Sequence, residues 1–252
     1  MVHDIKQFDY SLNFDDIDME YKWKELEIKR KGLLYYVVQS LLKNVQKGSS
    51  ILDVGGGSGI DLDIYGKALE TKYLYNLDVR VPDKKIDGVK YIDGSAEEID
   101  KTSLPTVDCI VMTEVIEHPF GTDKVLDDLL GILKPGGTII ITTPNLAGFL
   151  NLAALFAGYQ PPDTEVSLKY TYGRPFTRTG NCVGYIHIFT FKALNEMLKR
   201  HRLKIISLNS IGRTLPSKKD QLKLKDISYI DVFFSHISRR GGNWNDCSLP
   251  KI

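Results

Sequence analysis

The chain has 252 residues, of which 42% are hydrophobic, and its 33 basic and 32 acidic side chains give a formal net charge of +1. This length suits one large α/β domain with a sizeable core. The near-neutral charge lacks the basic excess of a dedicated nucleic-acid binder, so the composition disfavours nucleic acid as a partner.

Membrane and secretory features are also weak. The 3 cysteines lie far apart and show neither a disulfide framework nor a Cys-x-x-Cys metal spacing. The N-terminus has no basic start followed by an apolar run, as a signal peptide would. The most apolar stretch, residues 146–159, is shorter than the roughly 20 residues of a bilayer span. We therefore expect a cytoplasmic protein without a transmembrane segment, in which this stretch covers a pocket or touches a membrane surface.

Helices and short buried strands alternate along the first half of the chain. Residues 17–45 place leucines and valines at helical spacing, so they predict one or two helices within an N-terminal helical cap, residues 1–47. Beyond this cap, apolar runs closed by glycine or polar residues predict strands, and the stretches between them predict helices. In chain order these elements are strand 51–54, helix 59–69, strand 73–77, strand 89–92, a short helix from Ala96, strand 107–112, helix 122–133, a stop at 134–137 and strand 138–142.

Residues 145–186 interrupt this alternation with prolines, glycines and aromatic side chains, and we interpret them as a lid over the substrate. The remaining predicted elements are helix 191–200, strands 204–208 and 229–236, which complete a domain of residues 48–238, and a poorly ordered tail, 239–252. This order predicts an α/β fold with a Rossmann-like, doubly wound, mostly parallel sheet of seven strands. Such sheets bind ligands beyond the carboxyl ends of their strands, where the lid lies.

The strongest functional motif is the run DVGGGSG at residues 53–59, between a predicted strand and a predicted helix. Glycine lets the backbone turn sharply and approach a ligand with no Cβ in the way. A dinucleotide fingerprint that starts at Gly55 would need glycine or alanine at position 60, where the chain has Ile60. The carboxylate of Asp53 suits a ligand's ammonium group and would repel a pyrophosphate. Asp78, at the end of the next strand, can bind both hydroxyls of a ribose, as the same residue does in dinucleotide enzymes.

Several motifs together resemble the class I S-adenosylmethionine (SAM)-dependent methyltransferases, specifically the ubiquinone-type O-methyltransferases and the type 11 and type 23 methyltransferase group. The motifs are ILDVGGGSG at 51–59, NLD at 76–78, DGSAE at 93–97, DCIV at 108–111 and LKPGG at 133–137, and the resemblance covers about residues 51–208. It implies SAM as the cofactor, with the glycine loop at its methionine part. The implied cofactor-binding residues are Asp53, Gly55, Gly56, Gly57, Gly59, Asp78 at the ribose, Ser95 and Ala96 at the adenine, and Thr113. Many relatives have aspartate where this chain has Ser95.

A second cluster, Glu114, Glu117 and His118, follows the fourth strand, and on a helical turn all three side chains would share one face. The cluster resembles the E-x-x-E-H element of ubiquinone-type O-methyltransferases and of small-RNA 2′-O-methyltransferases. That resemblance implies a Mg²⁺ or Mn²⁺ site made of Glu114, Glu117, His118 and the downstream His187. The alternative is that His118 or His187 acts as a general base without a metal, with Glu114 as a further catalytic candidate.

These residues favour oxygen as the methyl acceptor, because a hydroxyl must lose a proton as it is methylated. The leading hypothesis is therefore an O-methyltransferase for a small-molecule or glycan acceptor. An RNA 2′-O-methyltransferase and a non-catalytic SAM-binding protein are the alternatives. Arg174, in the lid, either pairs with an anionic acceptor group or faces solvent.

Overall fold

The computed structural model describes residues 23–174, 182–213 and 229–239. Residues 1–22, which include the predicted helix start at position 17, and residues 240–252 of the predicted tail lie outside this part. The helices are α1 (Trp23–Asn44), α2 (Ile60–Ala68), α3 (Thr122–Ile132), α4 (Phe149–Phe156) and α5 (Phe191–Arg200), with a 3-10 helix at Ala96–Lys101. The strands are β1 (Ile51–Val54), β2 (Leu74–Asp78), β3 (Val89–Asp93), β4 (Val107–Thr113), β5 (Leu133–Pro144), β6 (Leu203–Arg213) and β7 (Tyr229–Arg239).

The strands form one sheet in the order β3-β2-β1-β4-β5-β7-β6. Strands β1 to β5 are parallel to one another, whereas β7 pairs antiparallel with both β5 and β6. The predicted mostly parallel α/β fold is confirmed. Because the chain runs outward from β1 to β3 and then returns to β4 on the other side of β1, the sheet has its topological switch point between β1 and β4. Ligands of open α/β sheets bind at the carboxyl ends of the strands at this point.

Two apolar clusters cover the two faces of the sheet. Alternate residues of β4 point to opposite faces: Ile110 and Met112 join the cluster that includes α3 and α5, while Cys109 and Val111 join the cluster that includes α1 and α2. All four of these side chains are fully buried. This explains why β4 is an uninterrupted apolar run rather than an alternating one.

Strand β5 begins earlier than the sequence predicts. The expected stop at residues 134–137 does end helix α3, but Leu133 already pairs with Val107, and the register then shifts before Cys109 pairs with Thr138. Gly136 has φ +79°, which accommodates this irregularity within the strand. The four residues therefore form a bulge inside β5 instead of a turn before it.

Helix α4 lies in the apolar stretch of the predicted lid, and its base is tied to the sheet. Asn145 forms a β-bridge with Phe189, and the N–H of Leu146 donates to the carbonyl of Phe189 at 2.9 Å. The buried side chain of Asn151 donates to the carbonyl of Asn145 at 2.8 Å and to Asp163 at 3.0 Å. Among the described helices, none combines the length and apolarity needed to cross a membrane.

Candidate active site

The glycine loop follows β1 directly, at the switch point of the sheet. Gly55, Gly57 and Gly59 have φ values of +74°, +52° and +81°, a region that other residues rarely adopt. The N–H of Gly55 donates to the carbonyl of Leu77 at 2.7 Å, and a Cβ on Gly55 would lie only 2.4 Å from Cγ2 of Val115. Glycine at this position therefore permits both the turn and the close approach of the segment that follows β4.

A buried carboxyl group lies beneath the loop. A Cβ on Gly56 would come within 2.7 Å of Asp53 Oδ2 and 2.6 Å of Asn76 Oδ1. Asp53 is 3% exposed, and this burial raises the pKa of its carboxyl group well above the ordinary value, an effect that the negative charges of Asp61 and Asp78 increase. A cation bound beside Asp53 would reverse this effect, because an opposite charge favours the ionised form of a carboxyl group.

Asp78 ties the loop to the end of β2. Its Oδ2 accepts from the N–H of Gly57 at 2.8 Å, and its Oδ1 accepts from the N–H of Arg80 at 2.9 Å. Asn76 adds a second tie, since its Nδ2 donates to the carbonyl of Gly57 at 3.0 Å. The structure thus brings the predicted Asp78 onto the glycine loop, where each of its oxygens retains a second lone pair.

Sequence reasoning missed Tyr91, which supports the loop from β3. Its hydroxyl donates to the carbonyl of Ser58 at 2.7 Å and accepts from the N–H of Ile86 at 3.2 Å. A Cβ on Gly59 would lie 2.5 Å from this hydroxyl. Tyr91 pairs in register with Asn76, which was also missed. The available signal was period-2 alternation, which places Asn76 and Asp78 on the same face of β2.

Ser95 and Ala96 follow β3 at the start of the 3-10 helix. The hydroxyl oxygen of Ser95 accepts from the N–H of Glu97 at 3.1 Å and so caps this helix, while Ala96 packs against the core. The N–H of Gly94 donates to the carbonyl of Asp78 at 3.1 Å, which keeps this segment beside the ribose candidate. Thr113 ends β4, and its buried Oγ1 has no hydrogen-bond partner among the described residues.

The segment from Glu114 to His118 is not a helical turn, so the prediction that its side chains share a helical face is wrong. Glu114 has φ +55°, which is incompatible with an α-helix. Its carboxylate accepts from the hydroxyl of Thr142 at 3.1 Å. Glu117 is fully buried and accepts from the hydroxyl of Thr143 at 3.1 Å. The two glutamates are therefore bound to successive threonines of β5.

His118 is partly exposed, with 36% of its side chain accessible. Its Nδ1 lies 2.9 Å from the carbonyl oxygen of Gly184, and its Nε2 lies 4.0 Å from Glu117 Oε1. Its ring packs against Tyr185 with centroids 5.4 Å apart. His187 follows Gly184 and Tyr185 in the chain, and its Nε2 lies 3.2 Å from the carbonyl oxygen of Phe120.

A family model of a methyltransferase domain matches residues 27–208, more than half of the chain. The chain belongs to this methyltransferase family. Human mitochondrial ubiquinone biosynthesis O-methyltransferase is 33% identical to it over 111 residues, which are 39% of this chain and 29% of the human protein. The chain thus matches less than a third of that relative's length. The predicted resemblance to the SAM-dependent methyltransferases is confirmed.

Solved structures agree on the fold of this methyltransferase. The 1,6-didemethyltoxoflavin-N1-methyltransferase of Burkholderia thailandensis, determined with its substrate and S-adenosylhomocysteine, superposes with a TM-score of 0.56 at 12% identity, covering 86% of this chain and 82% of that one. A Listeria monocytogenes protein described as a SAM-dependent methyltransferase superposes with a TM-score of 0.60 at 12% identity, covering 85% and 99%. At these identities the likeness concerns the fold alone.

The metal site implied by the resemblance is not assembled in the methyltransferase. Among the described residues, which include Glu114, Glu117, His118 and His187, no group of three or more histidine, cysteine or acidic side chains has an arrangement that could hold a metal ion. The reason is local. Each histidine directs one ring nitrogen at a backbone carbonyl, and each glutamate is bound to a threonine hydroxyl.

Arg174, in the predicted lid, is expected to pair with an anionic acceptor group or to face solvent, and the structure shows neither. Its side chain is only 10% exposed, so it does not face solvent. One guanidinium nitrogen donates to Glu165 Oε1 at 3.1 Å and to the carbonyl of Thr164 at 3.0 Å. Arg174 is thus part of an ion pair with Glu165, rather than a group directed at an anionic acceptor.

Proposed function

We propose that this methyltransferase transfers the methyl group of SAM to a hydroxyl oxygen of a small-molecule or glycan acceptor, with His118 as the general base. The observation that carries the proposal is the setting of His118. A carbonyl oxygen can only accept a hydrogen bond, so the contact with Gly184 assigns a proton to Nδ1 and leaves the lone pair of Nε2 to take a proton.

The cofactor fits the glycine loop on two grounds. Glycine at position 56 lets the loop backbone pack directly over the carboxyl group of Asp53, since a Cβ there would come within 2.7 Å of Asp53 Oδ2. The buried carboxyl group of Asp53 is surrounded by the negative charges of Asp61 and Asp78, so the ammonium group of a bound amino acid would relieve its unfavourable ionisation. We assign the methionine part to residues 53–59, the ribose to Asp78, and the adenine to Ser95 and Ala96. Thr113 borders the reacting end.

When bound, SAM supplies a methyl group on a positively charged sulfur. The protein aligns the acceptor oxygen with this methyl and excludes water, which is where most of the rate gain of a bimolecular transfer arises. With SAM bound, its methyl group would pass to the acceptor oxygen with S-adenosylhomocysteine as the leaving group, and Nε2 of His118 would take the hydroxyl proton. The resulting imidazolium is stabilised by the buried carboxylate of Glu117, 4.0 Å from Nε2. We place Glu114 and His187 on the same wall of the site.

Oxygen as the acceptor is supported by the human relative, whose name describes an O-methyltransferase. The lid, residues 145–186, is proposed to cover the acceptor, and several of its large apolar side chains are exposed in the described part: Phe149, Phe156, Tyr159, Tyr170 and Tyr172. Such side chains suit an apolar ring or the face of a sugar. RNA remains disfavoured by the near-neutral net charge.

The test is turnover of SAM to S-adenosylhomocysteine with phenol, quinol, sugar and RNA acceptors, each measured with Mg²⁺ and with a chelator. We expect turnover with a hydroxyl acceptor of the first three classes, and no change with the chelator, because the predicted ligands do not form a metal group. Turnover with RNA alone would overturn the choice of acceptor. Tight SAM binding without turnover of any acceptor would favour a non-catalytic SAM-binding protein.

A further inference from the structure

A buried carboxylate in the lid gathers three consecutive backbone N–H groups. The side chain of Glu165 is fully buried, and its oxygens accept from Val183 at 2.6 Å, Gly184 at 2.7 Å and Tyr185 at 2.9 Å. Arg174 donates to the same carboxylate at 3.1 Å. A buried carboxylate needs such a full set of donors, because otherwise its desolvation is strongly unfavourable.

Gly184 makes this convergence possible. Its φ of +94° lets successive N–H groups point to one side of the chain, forming an anion-binding concavity. Its carbonyl oxygen lies 2.9 Å from Nδ1 of His118. The next residue, Tyr185, packs its ring against the same imidazole. Gly184 and Tyr185 therefore both donate to Glu165 and contact His118.

The other end of this short segment is fixed independently. The N–H groups of Ile186 and His187 both donate to the backbone carbonyl of Glu117 at 2.9 Å. The segment 183–187 is thus held between the carboxylate of Glu165 and the residue that precedes His118. The contact with Glu117 uses only backbone atoms. A substitution of Glu165 is therefore the way to change how residues 183–185 are held.

We propose that Glu165 is a positioning residue for His118: it orients the Gly184 carbonyl, which in turn fixes the imidazole as the Nδ1–H tautomer with Nε2 free to accept a proton. This inference rests on the proposed role of His118 as the base. Glu165 is not a catalytic residue, because it reaches the imidazole only through the Gly184 backbone. Arg174 supports it by balancing the buried negative charge.

The experiment compares Glu165→Gln with the matched control Asp163→Asn, a carboxylate-to-amide change two positions away in the same lid. Asp163 is bonded to Asn151. In Glu165→Gln, the amide –NH₂ faces a backbone N–H, so at least one bond to 183–185 is replaced by a donor–donor contact. The tautomer of His118 is measured by ¹⁵N NMR of histidine-labelled protein, with the His118 signals assigned from His118→Gln.

We expect the Nδ1–H form in the wild-type protein and in Asp163→Asn, and a mixture of tautomers in Glu165→Gln. We also expect kcat of Glu165→Gln to fall on the order of 10- to 100-fold while the Kd for SAM stays unchanged. A wild-type His118 in the Nε2–H form, or an unchanged Nδ1–H form in folded Glu165→Gln, would overturn the inference. If Glu165→Gln does not fold, Glu165→Asp, which keeps the charge but shortens the reach, takes its place with the same two outcomes.

The tautomer is read without turnover, so this test separates from that of the proposed function. Full activity of His118→Gln would remove the base from the proposed mechanism and leave the tautomer result standing. A changed tautomer together with an unchanged kcat would show that Glu165 orients the ring but that the ring does not take the proton.

Discussion

The two edges of the parallel sheet shift the pKa of an aspartate in opposite directions, at the buried Asp53 and at the half-buried Asp108. At the carboxyl edge, burial and the negative charges of Asp61 and Asp78 raise the pKa of Asp53. At the amino edge, burial alone would raise the pKa of Asp108, but hydrogen bonds from Ser50 and Lys134 outweigh it and the pKa is lowered. Ser50 donates through its hydroxyl at 2.6 Å and its N–H at 2.9 Å, and Lys134 Nζ lies 2.9 Å from both oxygens.

The two edges of the sheet also differ in their buried polar atoms. The carboxyl edge also contains two buried side-chain atoms, Asn76 Oδ1 and Thr113 Oγ1, which have no hydrogen-bond partner among the described residues. Buried polar atoms are normally paired, so an unpaired one in a native structure calls for an explanation such as a ligand site. The comparison teaches that the amino edge is arranged for stability, while the carboxyl edge keeps polar groups in place for a ligand.

The largest expected effect tests His118, the proposed general base at the carboxyl edge. We expect His118→Gln to lower kcat by about 10²- to 10⁴-fold, the usual contribution of a general base, with the Kd for SAM unchanged. The matched control is His201→Gln, because both ring nitrogens of His201 contact carboxylates of α3, Asp127 and Asp123, at 2.8 Å. Steady-state kinetics and calorimetric SAM titration measure both variants.

We expect His201→Gln to keep kcat within about twofold and to lower the free energy of unfolding by less than ~1 kcal/mol, since its partners are exposed. Equal losses of kcat in the two histidine variants would break the comparison, because the effect would then not depend on the carboxyl edge.

The next effect concerns the glycine loop. Gly55→Ala and Gly48→Ala introduce the same methyl group at similar φ values, +74° and +81°. At Gly55 the Cβ would meet Val115 at 2.4 Å, whereas nothing lies within 4 Å of a Cβ on Gly48. An overlap of this kind costs about 1–3 kcal/mol, so we expect a roughly 10- to 100-fold weaker Kd for SAM in Gly55→Ala alone, measured by titration calorimetry. Equal affinities would show that loop packing does not shape the cofactor site.

Much of the carboxyl edge could be predicted because its motif is local. The glycine run, the strand before it and the helix after it all lie between Ile51 and Ala68, so pattern and spacing suffice. Asp78 was found in the same way, since the end of a short apolar run marks the end of a strand. The stop after α3 was placed correctly, but the bulge in β5 was not, because it depends on pairing with β4.

The acceptor side could not be predicted to the same depth. His118 and Gly184 are 66 residues apart, and Glu165 contacts residues 183–185 only once the chain has folded. The left-handed backbone of Glu114 has no local signal, because glutamate favours a helix and the tertiary structure overrides that preference. The sequence predicts a helical turn for Glu114, Glu117 and His118, and the structure does not form that turn.

A smaller effect tests a residue that pattern analysis missed. Tyr91→Phe removes the hydroxyl that donates to Ser58 and accepts from Ile86. Losing a hydrogen bond of this kind costs about 1 kcal/mol, so we expect the Kd for SAM to weaken roughly fivefold. Tyr75→Phe makes the same change on the neighbouring strand and is expected to leave the Kd unchanged in calorimetry. A larger effect of Tyr75→Phe would mean that Tyr91 is not a specific support of the loop.

The smallest effect is a difference in stability that returns to the two carboxyl groups. A raised folded-state pKa means that Asp53 favours folding below its unfolded pKa of about 3.9 and loses that contribution as pH rises through the folded value. We therefore expect Asp53→Asn to become more stable than wild type as pH rises above about 4, while binding SAM more weakly.

A lowered pKa means that Asp108 favours folding above about 3.9 and loses this contribution as pH falls through the folded value. Asp108→Asn should lower the free energy of unfolding by less than ~1 kcal/mol at neutral pH, because solvent screens this half-buried ion pair, with the deficit fading in acid. Urea unfolding of the cofactor-free protein between about pH 3 and 7 measures both variants. Changes in stability of the same sign for the two variants at neutral pH would show that the two carboxyl groups do not differ in their effect on folding.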